Sequence, residues 1–325
     1  MKAVLYYNYG GPDVLEVKEV EMNLPQKDEI LIKNYASSIT SADTFLRKGK
    51  PKFGRLFLGL RKPKNKMIGT GFSGIIKELG ANVSKFRVGD KVYGETTFGY
   101  GANAEYVCVN SIKNVIQMLP EEISFEEATS ICDGPLTSYN FLVDIGKLKA
   151  GQHVLINGAS GALGTAAIQI AKNIGAEVTA VCSQSNIDLV KKMGADHVID
   201  YGKNDFTKNY GSYDIVYDAI GKSSFSKSKK SLKPRGAYLS PVLSFSLLMI
   251  MIRTSIFGKK KAKFQATGLR KTEELNQFLE QINSMIRLGK LKLVIDKSYT
   301  IEEISKAHRY IDSGRKKGNV VLVFQ

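Results

Sequence analysis

The segment from Val154 to Lys172 constrains this chain more than any other. An apolar run, Val154-Leu-Ile, passes through Asn157-Gly158-Ala-Ser-Gly161-Ala-Leu-Gly164 into Thr165-Ala-Ala-Ile-Gln-Ile-Ala-Lys172. It reads as a buried strand, a glycine-rich turn and a helix. Set against a Gly-x-Gly-x-x-Gly fingerprint, Ala159 takes the first place and Gly161 and Gly164 the second and third. Alanine is acceptable in the first place if the turn needs no positive φ there. Gly161 lets the backbone approach a pyrophosphate, and Gly164 lets the helix pack closely on the strand. The helix start adds unpaired N–H groups and a partial positive charge. Gly158, Ser160, Gly161, Ala162, Leu163 and Gly164 are therefore the candidate dinucleotide-binding hook.

The surroundings support that reading. From Gly151 onward strand and helix patterns alternate: His153 to Asn157, Ala162 to Asn173, Glu177 to Cys182, Asn186 to Met193, His197 to Ile199 and Tyr213 to Tyr217. Apolar strands alternating with amphipathic helices predict a parallel sheet with helices on both faces. Gly236 to Ser240 and Phe264 to Thr267 are expected as its later strands. The first 110 or so residues instead read as short strands between turns, an all-β pattern. Ser124-Phe-Glu-Glu127 has capping-box spacing and opens a helix. The tail predicts a helix over Thr272 to Leu288, a strand over Val294 to Tyr299, a helix over Ile301 to Ile311 and a last strand over Asn319 to Phe324. Those strands could extend the parallel sheet or return to the β region.

The choice of dinucleotide turns on the end of the second strand. An NAD site places Asp or Glu there for the ribose 2′-hydroxyl. Val178 to Ile187 has no acid, and Cys182-Ser183-Gln184-Ser185-Asn186 offers hydroxyls and amides. NADP(H) is the expected cofactor, with Ser183 near its 2′-phosphate. The formal charge of +16, from 47 Lys and Arg against 31 Asp and Glu, favours anions generally. That charge also fits an acidic lipid surface. Nucleic acid is disfavoured, because no aromatic-interleaved basic motif accompanies the lysines.

The three cysteines, Cys108, Cys132 and Cys182, cannot form a disulfide framework. Together with the lack of a secretory leader pattern, they predict a reducing, cytoplasmic location. The apolar run Val242 to Ile252 is shorter than a bilayer-spanning segment. His153, His197 and His308 lie in strand or helix patterns and are expected to be structural.

Several further stretches carry a family resemblance. Val88-Gly-Asp-Lys-Val-Tyr93, Gly101-Ala-Asn-Ala-Glu-Tyr106, Ala128 to Leu142, Gly194-Ala-Asp-His-Val-Ile-Asp-Tyr201, and Ala307-His308 through Gly318-Asn-Val-Val321 together resemble the medium-chain dehydrogenase/reductase superfamily. The likeness is to its zinc-independent quinone oxidoreductase and enoyl reductase branch. The resemblance implies an α/β fold: a GroES-like β domain, residues 1–119 with a return at 266–325, and an inserted Rossmann domain, residues 120–265. It also implies an active site in the cleft between them and a homodimer.

Zinc members of the superfamily carry Gly-His-Glu where this chain has Gly69-Thr70-Gly71, and a cysteine at or beside Cys132-Asp133. One Cys/Asp pair cannot supply about three catalytic zinc ligands, so no metal is expected. The family's Asn-x-x-Asp element corresponds to Thr40 and Asp43. Thr40 keeps one hydroxyl donor, and pairing with Arg47 is the plainer role for Asp43. By the same resemblance Thr137 lies near the nicotinamide, Tyr201 near the adenosine phosphate, and Lys317 supplies a basic group from the tail. The segment Val242 to Ile252 falls at a variable lid, where core, dimer or membrane-surface contact are the alternatives.

The expected activity is hydride transfer from NADPH to a quinone or to the β-carbon of an α,β-unsaturated carbonyl. Thr40 or cofactor hydroxyls would steady the oxyanion, and water would supply the proton. The alternatives are a non-catalytic NADPH-binding scaffold, an RNA-associated protein, or an NADP-dependent alcohol or aldehyde oxidoreductase.

Overall fold

The structure is a computed structural model that describes residues 1–324 apart from 51 and 97–100. Its strands and helices follow in the order β1 (Lys2–Tyr6), β2 (Leu15–Glu19), β3 (Glu29–Ile39), α1 (Ser41–Lys48), α2 (Arg55–Leu58), β4 (Gly71–Leu79), β5 (Lys91–Glu95), β6 (Tyr106–Asn110), β7 (Val115–Met118) and α3 (Phe125–Ala128). Then come α4 (Gly134–Tyr139), β8 (His153–Asn157), α5 (Ala162–Ile174), β9 (Glu177–Cys182), α6 (Ile187–Lys192), β10 (His197–Asp200), β11 (Tyr213–Asp218), α7 (Phe225–Ser228) and β12 (Leu232–Leu239). The chain closes with α8 (Phe245–Phe257), β13 (Lys261–Lys263), α9 (Thr272–Arg287), β14 (Ile295–Thr300), α10 (Ile304–Asp312) and β15 (Asn319–Val323). Two compact units result: Met1–Asp133 with Lys271–Asn283 and Leu293–Gln325, and Gly134–Arg270 with Ser284–Lys292.

The first unit is built around β3. Among the described residues its larger sheet has the order β14-β15-β3-β4-β5-β7, with β6 also on β3, while β1 and β2 pair separately. Ile30 and Ile32 on β3 face Phe72, Ile76, Val92 and Val107 in one apolar cluster. A second cluster joins Val4, Ile39, Leu322 and Phe324 to the inner face of α10, Ile304, Ala307 and Ile311. The tail strands thus return to the β region, with β15 antiparallel to β3 through Val320 opposite Ile39.

The second unit is a parallel sheet ordered β10-β9-β8-β11-β12-β13. Numbered within the sheet this is 3-2-1-4-5-6, the Rossmann order, whose ligand crevice lies beyond the carboxyl ends of the strands where the order reverses. The central strands are apolar because both faces are covered; Val154, Leu155 and Ile156 have no solvent exposure. One expected strand is displaced. Phe264 to Thr267 is not a strand; the edge strand is β13, Lys261–Lys263, parallel to β12. An edge strand tolerates lysines that a central one does not. The run from Val242 carries α8, which is a helix.

Candidate functional site

The turn after β8 is closed by backbone hydrogen bonds. The N–H groups of Gly158 and Ala159 donate to Val181 O (3.2 and 3.0 Å), and that of Gly161 donates to Gly158 O (3.2 Å). The positive φ falls on Gly158 (+80°), and Ala159 is not among the positive-φ residues, which is why alanine fits the first fingerprint place. At Gly164 a Cβ would stand 2.3 Å from Gly158 O and 2.5 Å from the Ala159 backbone. At Gly161 its nearest neighbour would be Gly158 O at 3.6 Å, so that side of the turn is open. Gly161 is the N-cap of α5 and no side chain caps the first turn. The first N–H groups of a thirteen-residue helix are therefore left for a ligand. These residues fit a bound pyrophosphate.

Other sequence candidates gather around this turn. Thr137 lies on α4, which meets the hook through Ser138 Oγ donating to Leu163 O (2.8 Å). Ser160 accepts from Asn186 Nδ2 (2.9 Å), so Asn186 sets the Ser160 hydroxyl, a link that no local pattern reveals. Ser183 follows β9 and its hydroxyl lies 3.1 Å from that of Ser185. Tyr201 is exposed beyond β10, and its N–H donates to Cys182 O (3.1 Å). Sequence reading missed Asp200, which the sheet register sets opposite Cys182. One of its carboxylate oxygens accepts from Gly202 N (3.0 Å). At the end of β11 buried Asp218 accepts from Asn157 Nδ2 (2.9 Å), Tyr238 Oη (2.8 Å) and Ser223 N (2.8 Å), and so fixes the end of β8.

Thr40, Asp43 and Lys317 belong to the first unit. Thr40 is the N-cap of α1 and Asp43 completes a capping box. The Thr40 N–H and hydroxyl both donate to Asp43 Oδ2 (2.7 and 2.8 Å), and Asp43 N donates to Thr40 Oγ1 (3.2 Å). The single Thr40 proton is thus spent on Asp43. The expected Asp43–Arg47 pairing is not what forms, because Arg47 is wholly buried and gives its Nη2 to Asp312 (2.5 Å). Lys317 is exposed, and its N–H donates to Asp296 Oδ2 (2.7 Å). Its neighbour Lys316 is the cation whose charge reaches Asp43 and Asp133.

The capping role has a direct test. Thr40→Val should lower stability by about 1–2 kcal/mol in denaturant unfolding, while Thr40→Ser keeps most of it. A Thr40→Val protein as stable as the parent would show that the cap does not matter.

The positions matching the zinc motif hold something else. Burial, with the charges of Asp133 and Asp43 beside it, pushes the Glu95 carboxyl up to about 8, against a hydrogen bond with Thr70. Burial pushes Asp43 up to about 6 against its Thr40 hydrogen bonds. Burial also raises Asp133, and raises the Cys132 thiol well above its ordinary value. Among the described residues no group of three or more His, Cys, Asp or Glu is arranged to hold a metal. His153 meets Thr179 Oγ1 (2.7 Å), His197 meets Glu177 (2.7 Å), and burial holds His308 neutral, down to about 3.

A parallel 3-2-1-4-5-6 sheet with an uncapped glycine hook defines a dinucleotide-binding protein, and comparisons with known proteins narrow this. Family models described as alcohol dehydrogenase GroES-like domain and zinc-binding dehydrogenase match residues 26–121 and 193–322. A chloroplastic quinone oxidoreductase of Triphysaria versicolor is 31% identical over 99% of this chain and 98% of its own length. A 2-methylene-furan-3-one reductase of Solanum lycopersicum is 28% identical over 99% of this chain and 79% of its own. The structure of the Escherichia coli quinone oxidoreductase complexed with NADPH matches in fold, with a TM-score of 0.86, 24% identity and full coverage of both chains. The chain belongs to the medium-chain dehydrogenase/reductase superfamily, in its quinone oxidoreductase and enoyl reductase branch. It is an oxidoreductase of the kind that uses a nicotinamide cofactor.

Proposed function

We propose that this chain is an NADPH-dependent, metal-free reductase acting on a quinone or on the C=C bond of an α,β-unsaturated carbonyl. The observation that carries the reading is the uncapped α5 terminus behind the Gly158 turn, where Gly161 leaves room for a pyrophosphate and Gly164 does not. When bound there, the cofactor supplies the hydride. Ser160, Gly161, Ala162, Leu163 and Gly164 would hold its phosphates, Ser183 and Tyr201 would meet the adenosine end, and Thr137 would complete the set. Gly69, Thr70 and Gly71 carry neither imidazole nor carboxylate, so the first-unit cluster is short of ligands for a catalytic zinc. A conjugated acceptor spreads the incoming charge and needs less help than a simple carbonyl. Thr40 and Asp43 serve as a positioning pair at the start of α1, since the Thr40 proton is already given away. A homodimer is part of the same reading, with β13 at the free edge of the sheet.

The test is NADPH oxidation against quinones, alkenals, enones and simple aldehydes, with and without chelator. Turnover of a quinone or enone that the chelator leaves unchanged is expected. Ser183→Asp should cut NADPH affinity roughly tenfold or more by placing like charge beside the 2′-phosphate. Activity lost to the chelator would overturn the metal-free assignment. Nucleotide binding with no turnover across the panel would favour a scaffold.

A further inference from the structure

The segment joining α1 to β4 departs from the rest of the first unit in its charge. Between Asp43 and Glu78 the chain has ten Lys or Arg and no acidic residue. Some of these cations are engaged. Arg47 and Lys48 share Asp312, Arg55 stacks over the Tyr9 ring at 4.4 Å, and Lys66 lies over the Tyr7 ring at 5.4 Å. Lys50, Lys52, Arg61, Lys62 and Lys64 are exposed, and their own segment holds no acid to pair with them. Like charges gathered in this way repel one another and draw anions to the surface.

The cations stand on a built platform. Tyr9 Oη donates to Gly59 O (2.8 Å), Arg55 Nε to Gly49 O (3.0 Å), and Lys64 N to Leu58 O (2.8 Å). Gly59 has φ +117°, and a Cβ there would stand 2.0 Å from Lys62 O, so the chain doubles back tightly on itself. Leu56 and Leu60, interspersed with the cations in sequence, are 66% and 67% exposed. Helix α1 leads to this platform from the pair Thr40 and Asp43. Its inner face buries Asp43, Thr44 and Arg47, while Ser41, Ala42 and Phe45 share the exposed outer face. A largely apolar strip therefore runs from the start of α1, over about 12 Å, to the end that carries the lysine segment.

We infer that the acceptor reduced by this chain is amphiphilic: its conjugated carbonyl is carried on an apolar stem ending in a carboxylate or phosphate, which the α1–β4 lysines bind. This rests on the reductase reading above and narrows it to a substrate class. The reacting end would lie at the start of α1, the stem along Ala42 and Phe45, and the anion among Lys50, Lys52, Lys62 and Lys64. A charge so far from the reacting atoms is bound equally in the ground and transition states, so it lowers KM and leaves kcat alone. Small neutral quinones and enones would use only the first part of this surface. Nucleic acid is a poorer occupant. It carries charge along its whole length, whereas here the charge lies at one end of an apolar strip.

The experiment uses vinyl ketones that differ only at the far end of the chain, which is methyl, carboxylate or phosphate. Each is made with a short chain and with one long enough to span about 12 Å. With NADPH and the full chain, the long anionic acceptors should have a KM at least about tenfold below that of the long methyl-ended one. The gap should close as salt rises, and whichever anion gains more identifies the end group. Lys62→Glu with Lys64→Glu should shrink the preference about tenfold, through KM, while the melting temperature holds because both positions are exposed. Phe45→Gln should cost the long acceptors more than the short ones. Calorimetric titration with the corresponding saturated ketones should give the same order of affinity without turnover. Equal KM for charged and neutral chains, or a preference that survives both lysine reversals, would overturn the inference and leave the reductase reading in place. So would RNA retained by the parent and lost in the lysine variant, with no preference among chain ends. If no vinyl ketone turns over at all, the reductase reading falls and takes the inference with it.

Discussion

Gly164→Ala is expected to lose both stability and cofactor binding, whereas Gly161→Ala, three residues earlier on the same turn, should lose binding alone. The difference lies in what each new methyl group meets. At residue 164 it would press on Gly158 O at 2.3 Å and on the Ala159 backbone at 2.5 Å, none of which is a side chain that can swing away. Either α5 moves off β8 or the turn reopens, and overpacking of this kind costs about 1–3 kcal/mol. The melting temperature should fall by several degrees. If the α5 N–H groups face the phosphates as proposed, affinity for NADPH should fall by roughly a hundredfold as their alignment is lost. At residue 161 the methyl group would find only Gly158 O, at an ordinary 3.6 Å, and Gly161 has extended backbone any residue adopts (φ −82°, ψ 178°). The free protein should melt as the parent does, and calorimetric titration should show at least about tenfold weaker NADPH binding because the backbone can no longer approach the pyrophosphate. If the two variants behave alike in melting and titration, the assignment of the hook is wrong.

How far such a site can be read from sequence depends on whether its parts are local. The hook is one continuous strand, turn and helix, so β8 and β9 were legible to the residue, and the Ser124 capping box likewise. Thr40 and Asp43 enter only through the family resemblance, although their Thr-x-x-Asp spacing is a capping-box spacing that could have announced their bond. The pairing of Arg47 with Asp312 spans most of the chain, and no spacing rule reaches it. The edge strand was misplaced because apolar count favours Phe264, while an outermost strand is selected for lysines. β2, Leu15–Glu19, has the apolar–polar alternation that could have announced it. The α8 segment reads only as an apolar run too short to span a bilayer, with core, dimer and surface contact all open; only the folded unit shows that Phe245, Leu248, Met249, Ile252 and Ile256 are left outside. The acid cluster is the least legible part. Glu95 ends β5, Asp133 follows α3 and Asp43 lies in α1, and each alone looks like a surface acid until β3, β4 and β5 pair.

That cluster yields the second large effect: Glu95→Gln should stabilise the protein at alkaline pH and not at acid pH. In the unfolded chain the Glu95 carboxyl loses its proton near 4.5, and in the folded protein only near 8. Between those values the native state binds more protons than the unfolded state, so the linkage slope is negative and stability falls as pH rises. Asp43, raised to about 6, acts in the same sense over a lower range, and Asp133, raised by burial, acts in the same sense. Above pH 8 the parent must hold a charged Glu95 beside Asp133 and Asp43, with the Thr70 hydrogen bond as the opposing contact. Glutamine has nearly the same shape, keeps a hydrogen-bonding partner for Thr70 and carries no charge. A shift of this size corresponds to several kcal/mol, and because Glu95 is only half-buried, solvent screening reduces it to about 2–3 kcal/mol. Melting temperatures of parent and variant should therefore coincide near pH 4, below the unfolded value, separate steadily from there, and differ by several degrees near pH 9. Curves that run parallel across the whole range would mean that Glu95 titrates as a surface acid does. A cluster that lowers stability at working pH, and that one isosteric change relieves, is more economically explained by chemistry than by folding, since perturbed carboxyls gather where an active site uses their protonated form. The same titration should therefore move the pH profile of NADPH oxidation: the parent's alkaline limb, near 8, should disappear in Glu95→Gln if the neutral carboxyl is what the reaction draws on.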